Sequence, residues 1–68
     1  MNIFEHVTEH ELLSAAYYYY IDMMDKYETK ARHLLLWSEK EIYEKKAKDC
    51  KIKADEIRAR IIQIEQNQ

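Results

Sequence analysis

Two apolar stripes with the same spacing run through this sequence, and the second is out of phase with the first. In both, apolar residues recur at alternating intervals of four and three, the pattern of helices that pack along their length. The first stripe consists of Leu13, Tyr17, Tyr20, Met24, Tyr27, Ala31 and Leu34. The second consists of Tyr43, Ala47, Cys50, Ala54, Ile57, Ile61 and Ile64. This spacing predicts a chain that is helical over most of its length.

The phase difference predicts a break between two helices. Continuing the first stripe beyond Leu34 would place polar or charged residues in it. The second stripe begins instead at Tyr43, two residues out of phase, and two residues turn a helix by about 200°. In one unbroken helix the two stripes would therefore face opposite directions. A break near residues 36–38 resolves this conflict and predicts helices at about 9–36 and 39–66.

Two capping sequences support these helix starts. A Ser or Thr at the cap and a Glu three residues later can together satisfy the free backbone N–H groups of the first turn. Thr8 with Glu11 fits this capping box, and Ser38 with Glu41 fits it again. Each box stands just before one of the apolar stripes. We therefore expect Thr8 and Ser38 to be the N-cap residues of the two helices.

Equal helix lengths and a short connection favour an antiparallel helical hairpin. The chain has no glycine and no proline, so the connection LLLWSEK lacks the left-handed glycine that often ends a helix. The alternative is one long helix whose two apolar faces pair with other chains in a swapped assembly. The sequence favours an all-α hairpin domain over residues 1–68, with residues 1–8 as an N-terminal cap segment. Such hairpins commonly assemble into a four-helix bundle or a coiled-coil-like oligomer.

The segment AAYYYYIDMM, residues 15–24, indicates that the first helix is covered on more than one side. Adjacent helical positions point about 100° apart, so Tyr17 and Tyr20 lie on the stripe while Tyr18 and Tyr19 project to either side. A chain this short buries only about 60% of its unfolded surface, and small domains often oligomerise. We therefore expect self-association through the first helix. The predicted self-interface consists of Leu12, Tyr17, Tyr18, Tyr19, Met23 and Trp37.

Composition narrows the classes of function. The formal charge of −2 arises from 11 basic and 13 acidic residues, which is too balanced for a nucleic-acid binder as a whole. A chain without glycine cannot build the usual phosphate-binding loop. We expect no enzyme activity and no cofactor. The main interpretation is a small protein–protein interaction module that forms a homodimer or higher oligomer and binds or inhibits a protein partner.

One basic edge supports an alternative function. Lys46, Lys53 and Arg60 recur every seven residues along one side of the second helix. Together with Tyr19, on which a base could stack, they could bind a nucleotide or another phosphate-bearing ligand at a subunit interface. The simpler interpretation is a solvated flank whose aliphatic stems shield the apolar stripe.

The segment HVTEH, residues 6–10, matches the HxxEH pattern of zinc enzymes in which two histidines bind the metal. That chemistry requires both histidines on one face of a helix, whereas the cap at Thr8 leaves His6 outside it. His6 and His10 are therefore only weak candidates for metal ligands, and no metal site is expected.

Three features favour a cytoplasmic protein with no membrane segment. The lone Cys50 cannot form an internal disulfide and suits a reducing compartment. The N-terminal sequence lacks the basic region of a signal peptide. The apolar run at residues 12–24 is interrupted and too short to span a bilayer.

Overall fold

The computed structural model describes residues 8–67, which form two α-helices joined by a short turn. Helix α1 is Glu9–His33, with 25 residues, and helix α2 is Trp37–Gln66, with 30 residues. At 1.5 Å per residue the helices are about 37 Å and about 45 Å long. Residues 34–36 connect them. The prediction of an all-α helical hairpin is confirmed.

The two helices are antiparallel. Next to the turn, the rings of Tyr27 and Tyr43 lie 6.1 Å apart, measured between centroids. At the opposite end, the Arg60 guanidinium donates to the Glu9 carboxylate at 3.2 Å. Contacts at both ends rule out the single long helix. The hairpin is only 12 Å thick in its thinnest dimension, so it is one layer of helices.

The start of α1 is the one that the sequence predicts. Thr8 has an extended backbone, and its Oγ1 accepts a hydrogen bond from the backbone N–H of Glu11 at 3.1 Å. Glu9 and Glu11 place negative charge in the first turn, where the helix dipole favours it. The remainder of the predicted N-terminal cap segment, residues 1–7, lies outside the described residues.

The predicted N-cap of α2 is wrong, although the helix lies within two residues of its predicted bounds. The helix begins at Trp37, and its N-cap is Leu36, which makes no side-chain capping bond. Ser38 is therefore inside the first turn, and the capping box with Glu41 is not used. The backbone N–H of Lys40 already bonds to the Leu36 carbonyl at 3.0 Å, so helical hydrogen bonding starts before Ser38 is reached.

The turn also differs from the prediction, because α1 ends at His33 rather than near residue 36. Leu34 and Leu36 both have extended backbones, with φ/ψ of −87/137° and −83/126°. The backbone N–H of Leu34 donates to the Ala31 carbonyl at 3.3 Å, which satisfies one group of the last turn. Within residues 8–67 no residue has a positive φ. Extended leucines thus reverse the chain without the left-handed glycine that the sequence lacks.

The seam between the helices consists of the two predicted stripes, whose members are all buried or half-buried. The fully buried residues of the described chain are Ala31, Ala47 and Ala54, and no large side chain there is completely enclosed. Alanine lets two helices approach closely, but it removes little apolar area from water. The core is therefore narrow, and most of the aromatic and aliphatic surface lies beside it.

The two capping sequences give a matched test of the helix starts. Thr8→Ala should lower the free energy of unfolding by about 1 kcal/mol, because it removes a used N-cap. Ser38→Ala should change it by less than about 0.5 kcal/mol, since Ser38 caps nothing. Urea unfolding at one fixed protein concentration, followed by circular dichroism, measures both. An equal loss for the two variants would contradict the observed start of α2.

Candidate functional site

The single-layer hairpin has two broad faces, and the contacts between the helices define them. Face 1 carries the Glu9–Arg60 ion pair, with the charged atoms 3.2 Å apart. Face 2 carries the contact between His10 Nε2 and Glu65 Oε1, at 2.9 Å. Glu9 and His10 are 100° apart around α1, so they contact α2 on either side of the seam.

The four consecutive tyrosines divide between these faces as two pairs. On face 2, the rings of Tyr17 and Tyr18 meet edge to face with centroids 5.6 Å apart. On face 1, Tyr19 and Tyr20 meet in the same way at 5.3 Å. Edge-to-face contact is a favoured geometry for aromatic pairs. In each pair one ring borders the seam and the other extends into solvent, so each face presents an exposed tyrosine.

Face 1 contains a contiguous apolar row along α1. Leu12, Ala16, Tyr19 and Met23 are spaced by four, three and four residues and share one side of the helix. Leu12 is 48% exposed and Tyr19 is 59% exposed, while Ala16 and Met23 are half-buried. The row is long enough to receive another helix, and no element of the described chain covers it.

Face 2 is broken into two open grooves. The first, of about 370 Å³, is bounded by the ring of Tyr18, by Ile61 and Ile62, and by the His10–Glu65 pair. The second, of about 280 Å³, lies nearer the turn and is lined mainly by charged residues of both helices. The apolar surface of this face therefore lies in two separate grooves rather than in one row along α1.

The turn is a third exposed apolar region. Leu35 is fully exposed, and Leu36 and Trp37 are 61% and 69% exposed. Trp37 is separated from the tyrosine segment by most of the length of α1, about 24 Å at 1.5 Å per residue. Leu35 and Leu36, which follow the last residue of the first stripe, are the sequence signal for this surface. The prediction placed both of them in the first helix.

The structure separates the six predicted interface residues into three places. Leu12, Tyr19 and Met23 lie together on face 1. Tyr17 and Tyr18 lie on face 2, with Tyr17 bordering the seam. The sixth, Trp37, is at the turn. A single flat interface cannot contain all six.

The predicted basic edge lies on face 1, but its cations do not converge. Seven-residue spacing separates successive positions by about 10 Å along α2. Lys53 pairs with Glu56 at 3.8 Å, and Arg60 pairs with Glu9. Tyr19 is on the same face, yet no short contact joins it to the three cations. The four predicted residues therefore share one face of the hairpin, but their side chains do not meet at one site.

Lys46 instead belongs to an aromatic cluster near the turn. Its Nζ lies 5.7 Å from the ring centre of Tyr27 and 5.4 Å from that of Tyr43. Lys30, which the sequence prediction missed, places its Nζ 4.7 Å from the Tyr43 ring. These distances fit cation–π contacts. The sequence feature that could have identified Lys30 is its helical position, which is on the same side of α1 as Tyr19 and Met23.

Of the three fixed residues of the HxxEH pattern, Glu9 and His10 lie within the described residues. Glu9 pairs with Arg60 and His10 pairs with Glu65, so the two side chains are directed to different partners. Within the described part of the chain, no group of three or more His, Cys, Asp or Glu side chains could hold a metal ion. His6 lies outside the described residues. Cys50 is a free, half-buried thiol in the seam.

Comparison with protein families, with curated proteins and with solved structures found no match to this chain. Over residues 8–67, neither helix combines the length and the apolar character that crossing a membrane requires. The surfaces of the hairpin are therefore the basis for assigning a function.

The exposure of the turn can be measured directly, because Trp37 is the only tryptophan of the sequence. In dilute native protein, acrylamide should quench its fluorescence nearly as well as in the urea-unfolded protein, since the indole is mostly in solvent. Free N-acetyltryptophanamide provides the reference for full access. Strong shielding at the lowest protein concentration would contradict the exposed turn described above.

Proposed function

We propose that the protein is a non-enzymatic helical interaction module that self-associates through α1 and binds or inhibits a protein partner. One observation carries this proposal: the fully buried residues of the described chain are three alanines, while nine large apolar residues are exposed. These nine are Leu12, Tyr18, Tyr19, Leu35, Leu36, Trp37, Ile42, Ile52 and Ile62. Large apolar surface outside the core of a small domain is typical of interaction sites.

The size of the hairpin supports self-association. A face about 37 Å long and two helices wide, or about 20 Å, offers roughly 700 Å². Specific protein complexes bury about 800 Å² on each partner, so one face is of the right order. Exposed tyrosines suit this role, since a ring supplies contact area while the hydroxyl remains hydrated.

A second contact, with a protein partner, would use the surface that self-association leaves free. The turn offers Leu35, Leu36 and Trp37, and tryptophan is among the residues that contribute most to binding at interfaces. The outer side of α2 is mostly charged, which would favour selection of a partner by complementary charge. We also propose a cytoplasmic location, where the lone Cys50 would stay reduced.

Absolute mass in solution tests self-association. Multi-angle light scattering across a hundredfold concentration range should show a dimer or larger assembly that dissociates on dilution. The double variant Tyr18→Glu/Tyr19→Glu should remain monomeric at concentrations where the unmodified protein is assembled, because it places a carboxylate on each face of α1.

The control is Thr29→Glu/Gln66→Glu, which adds the same negative charge at exposed polar positions. It should retain the mass of the unmodified protein. Circular dichroism verifies that both variants stay helical. A monomeric unmodified protein at every concentration, or an unchanged mass in the double tyrosine variant, would contradict self-association through α1.

The aromatic cluster near the turn favours a second candidate function, the binding of a nucleotide or another phosphate-bearing ligand. Lys30 and Lys46 both lie within 6 Å of the Tyr43 ring, so two cations and an aromatic surface meet there. Phosphate would pair with the ammonium groups while a base stacks on a tyrosine. The site would be smaller than the edge of Lys46, Lys53 and Arg60 that the sequence predicts.

Calorimetric titration with ATP at low and high salt tests this candidate. If it is correct, ATP should bind at low salt, and Lys46→Met should weaken binding about tenfold, the equivalent of one charged hydrogen bond. Lys48→Met is the matched control, because Lys48 lines the opposite face. Absence of any heat of binding at low salt, at two well-separated temperatures, would exclude ATP as the ligand.

A further inference from the structure

The apolar row of face 1 extends at both ends into charged residues of opposite sign. One turn before Leu12 stands Glu9, and three residues after Met23 stands Lys26. The complete set, which we call the face-1 stripe, keeps the three-four spacing of helices that pack lengthwise. It consists of Glu9, Leu12, Ala16, Tyr19, Met23 and Lys26.

The face-1 stripe is symmetric about its centre. Its members form three pairs whose residue numbers each add to 35: Glu9 with Lys26, Leu12 with Met23, and Ala16 with Tyr19. If two copies of α1 lie antiparallel with residue 16 of one beside residue 19 of the other, every pair meets across the interface. Antiparallel coiled coils form layers of this kind from alternating positions of the repeat.

We infer that the partner of face 1 is a second copy of this chain, with the two α1 helices antiparallel and a twofold axis between Ala16 and Tyr19. This inference rests on the proposed self-association and specifies its face, direction and register. Twofold symmetry makes each contact occur twice, so three kinds of pair provide six layers.

Each layer is complementary in this register. The small Ala16 lies opposite the large Tyr19 ring, which allows the helices to interdigitate without a void. Leu12 lies opposite Met23, an apolar pair of similar volume. At each end Glu9 lies opposite Lys26, and opposite charges at an interface favour one alignment over others.

The parallel arrangement places like against like. Two Tyr19 rings would meet in one layer and two Ala16 side chains in another, which crowds the first and leaves the second underfilled. At the ends, Glu9 would meet Glu9 and Lys26 would meet Lys26. Like charges held close together at an interface oppose association. The same residues therefore favour the antiparallel direction by both volume and charge.

The charged ends are available for the contact. The Glu9 side chain is 61% exposed although it accepts from Arg60, and the Lys26 side chain is 65% exposed although its Nζ lies 3.1 Å from Asp22. A partner Lys26 could thus join the existing Glu9–Arg60 pair. Face 2 offers no equivalent, since its corresponding row of Tyr18 and Ile21 ends in Ser14 and Asp25, which do not form an ion pair.

Disulfide trapping tests the direction and register. In a Cys50→Ala background, one chain carries Leu12→Cys and a second, size-tagged chain carries Met23→Cys. The reduced chains are mixed and then oxidised with glutathione disulfide. The antiparallel register brings positions 12 and 23 of different copies together, so the main product should be the mixed disulfide. Each chain oxidised alone should cross-link severalfold less.

The matched control is Ser14→Cys mixed with Asp25→Cys. These positions are also eleven residues apart on α1 but lie on the face-2 row, on the other side of the helix from the stripe. They should give little cross-linked product. As a second readout in the Cys50→Ala background, Tyr19→Glu should make the protein monomeric by light scattering, whereas Tyr18→Glu should leave the dimer intact.

The outcomes separate this inference from the proposed function. A mixed Leu12→Cys/Met23→Cys disulfide, together with loss of the dimer only in Tyr19→Glu, supports the antiparallel register. A dimer that gives mainly the Leu12→Cys disulfide with itself would overturn the register while leaving self-association standing. A protein that is monomeric at every concentration would overturn both.

Discussion

The close approach of α1 and α2 over three alanines is the constraint on which the rest of the structure depends. Ala31, Ala47 and Ala54 are small enough to let the helix backbones come together, and they occupy the only fully buried positions of the described chain. Burial of apolar area stabilises a fold in proportion to the area removed from water. Small side chains supply little of it, so the larger rings and aliphatic groups remain at the edges of the seam.

This division explains the arrangement of the tyrosine segment. One ring of each edge-to-face pair borders the seam, while Tyr18 and Tyr19 extend from opposite faces of the hairpin. In an isolated monomer, an exposed ring on each side of the single layer of helices leaves apolar area in water, where it does not stabilise a domain of this small size. Face 1 continues its exposed ring into an uninterrupted row, whereas face 2 is divided by grooves and the His10–Glu65 contact. The two faces therefore differ in how their apolar surface is arranged.

The helical periodicity predicted both helices, the residues of the seam and the capping role of Thr8, because each depends on neighbours within one or two turns. It predicted the wrong N-cap for α2, because Ser38 has the local capping pattern although helical hydrogen bonding already begins at the Leu36 carbonyl. Periodicity also gives the direction of a side chain only around its own helix. Which predicted interface residues share a face of the hairpin depends on the position of the second helix.

The extended leucines of the turn have a consequence for proteolysis. Loop tips without helical hydrogen bonds are preferred sites of nicking, and Leu35 at this tip is completely exposed. Cleavage between Leu35 and Leu36 would leave each fragment with one whole helix and one whole stripe. The seam would then hold two separate peptides, and their association would depend on concentration rather than on the covalent turn. The leucine connection therefore stabilises the hairpin by keeping two complementary helices at a high effective concentration.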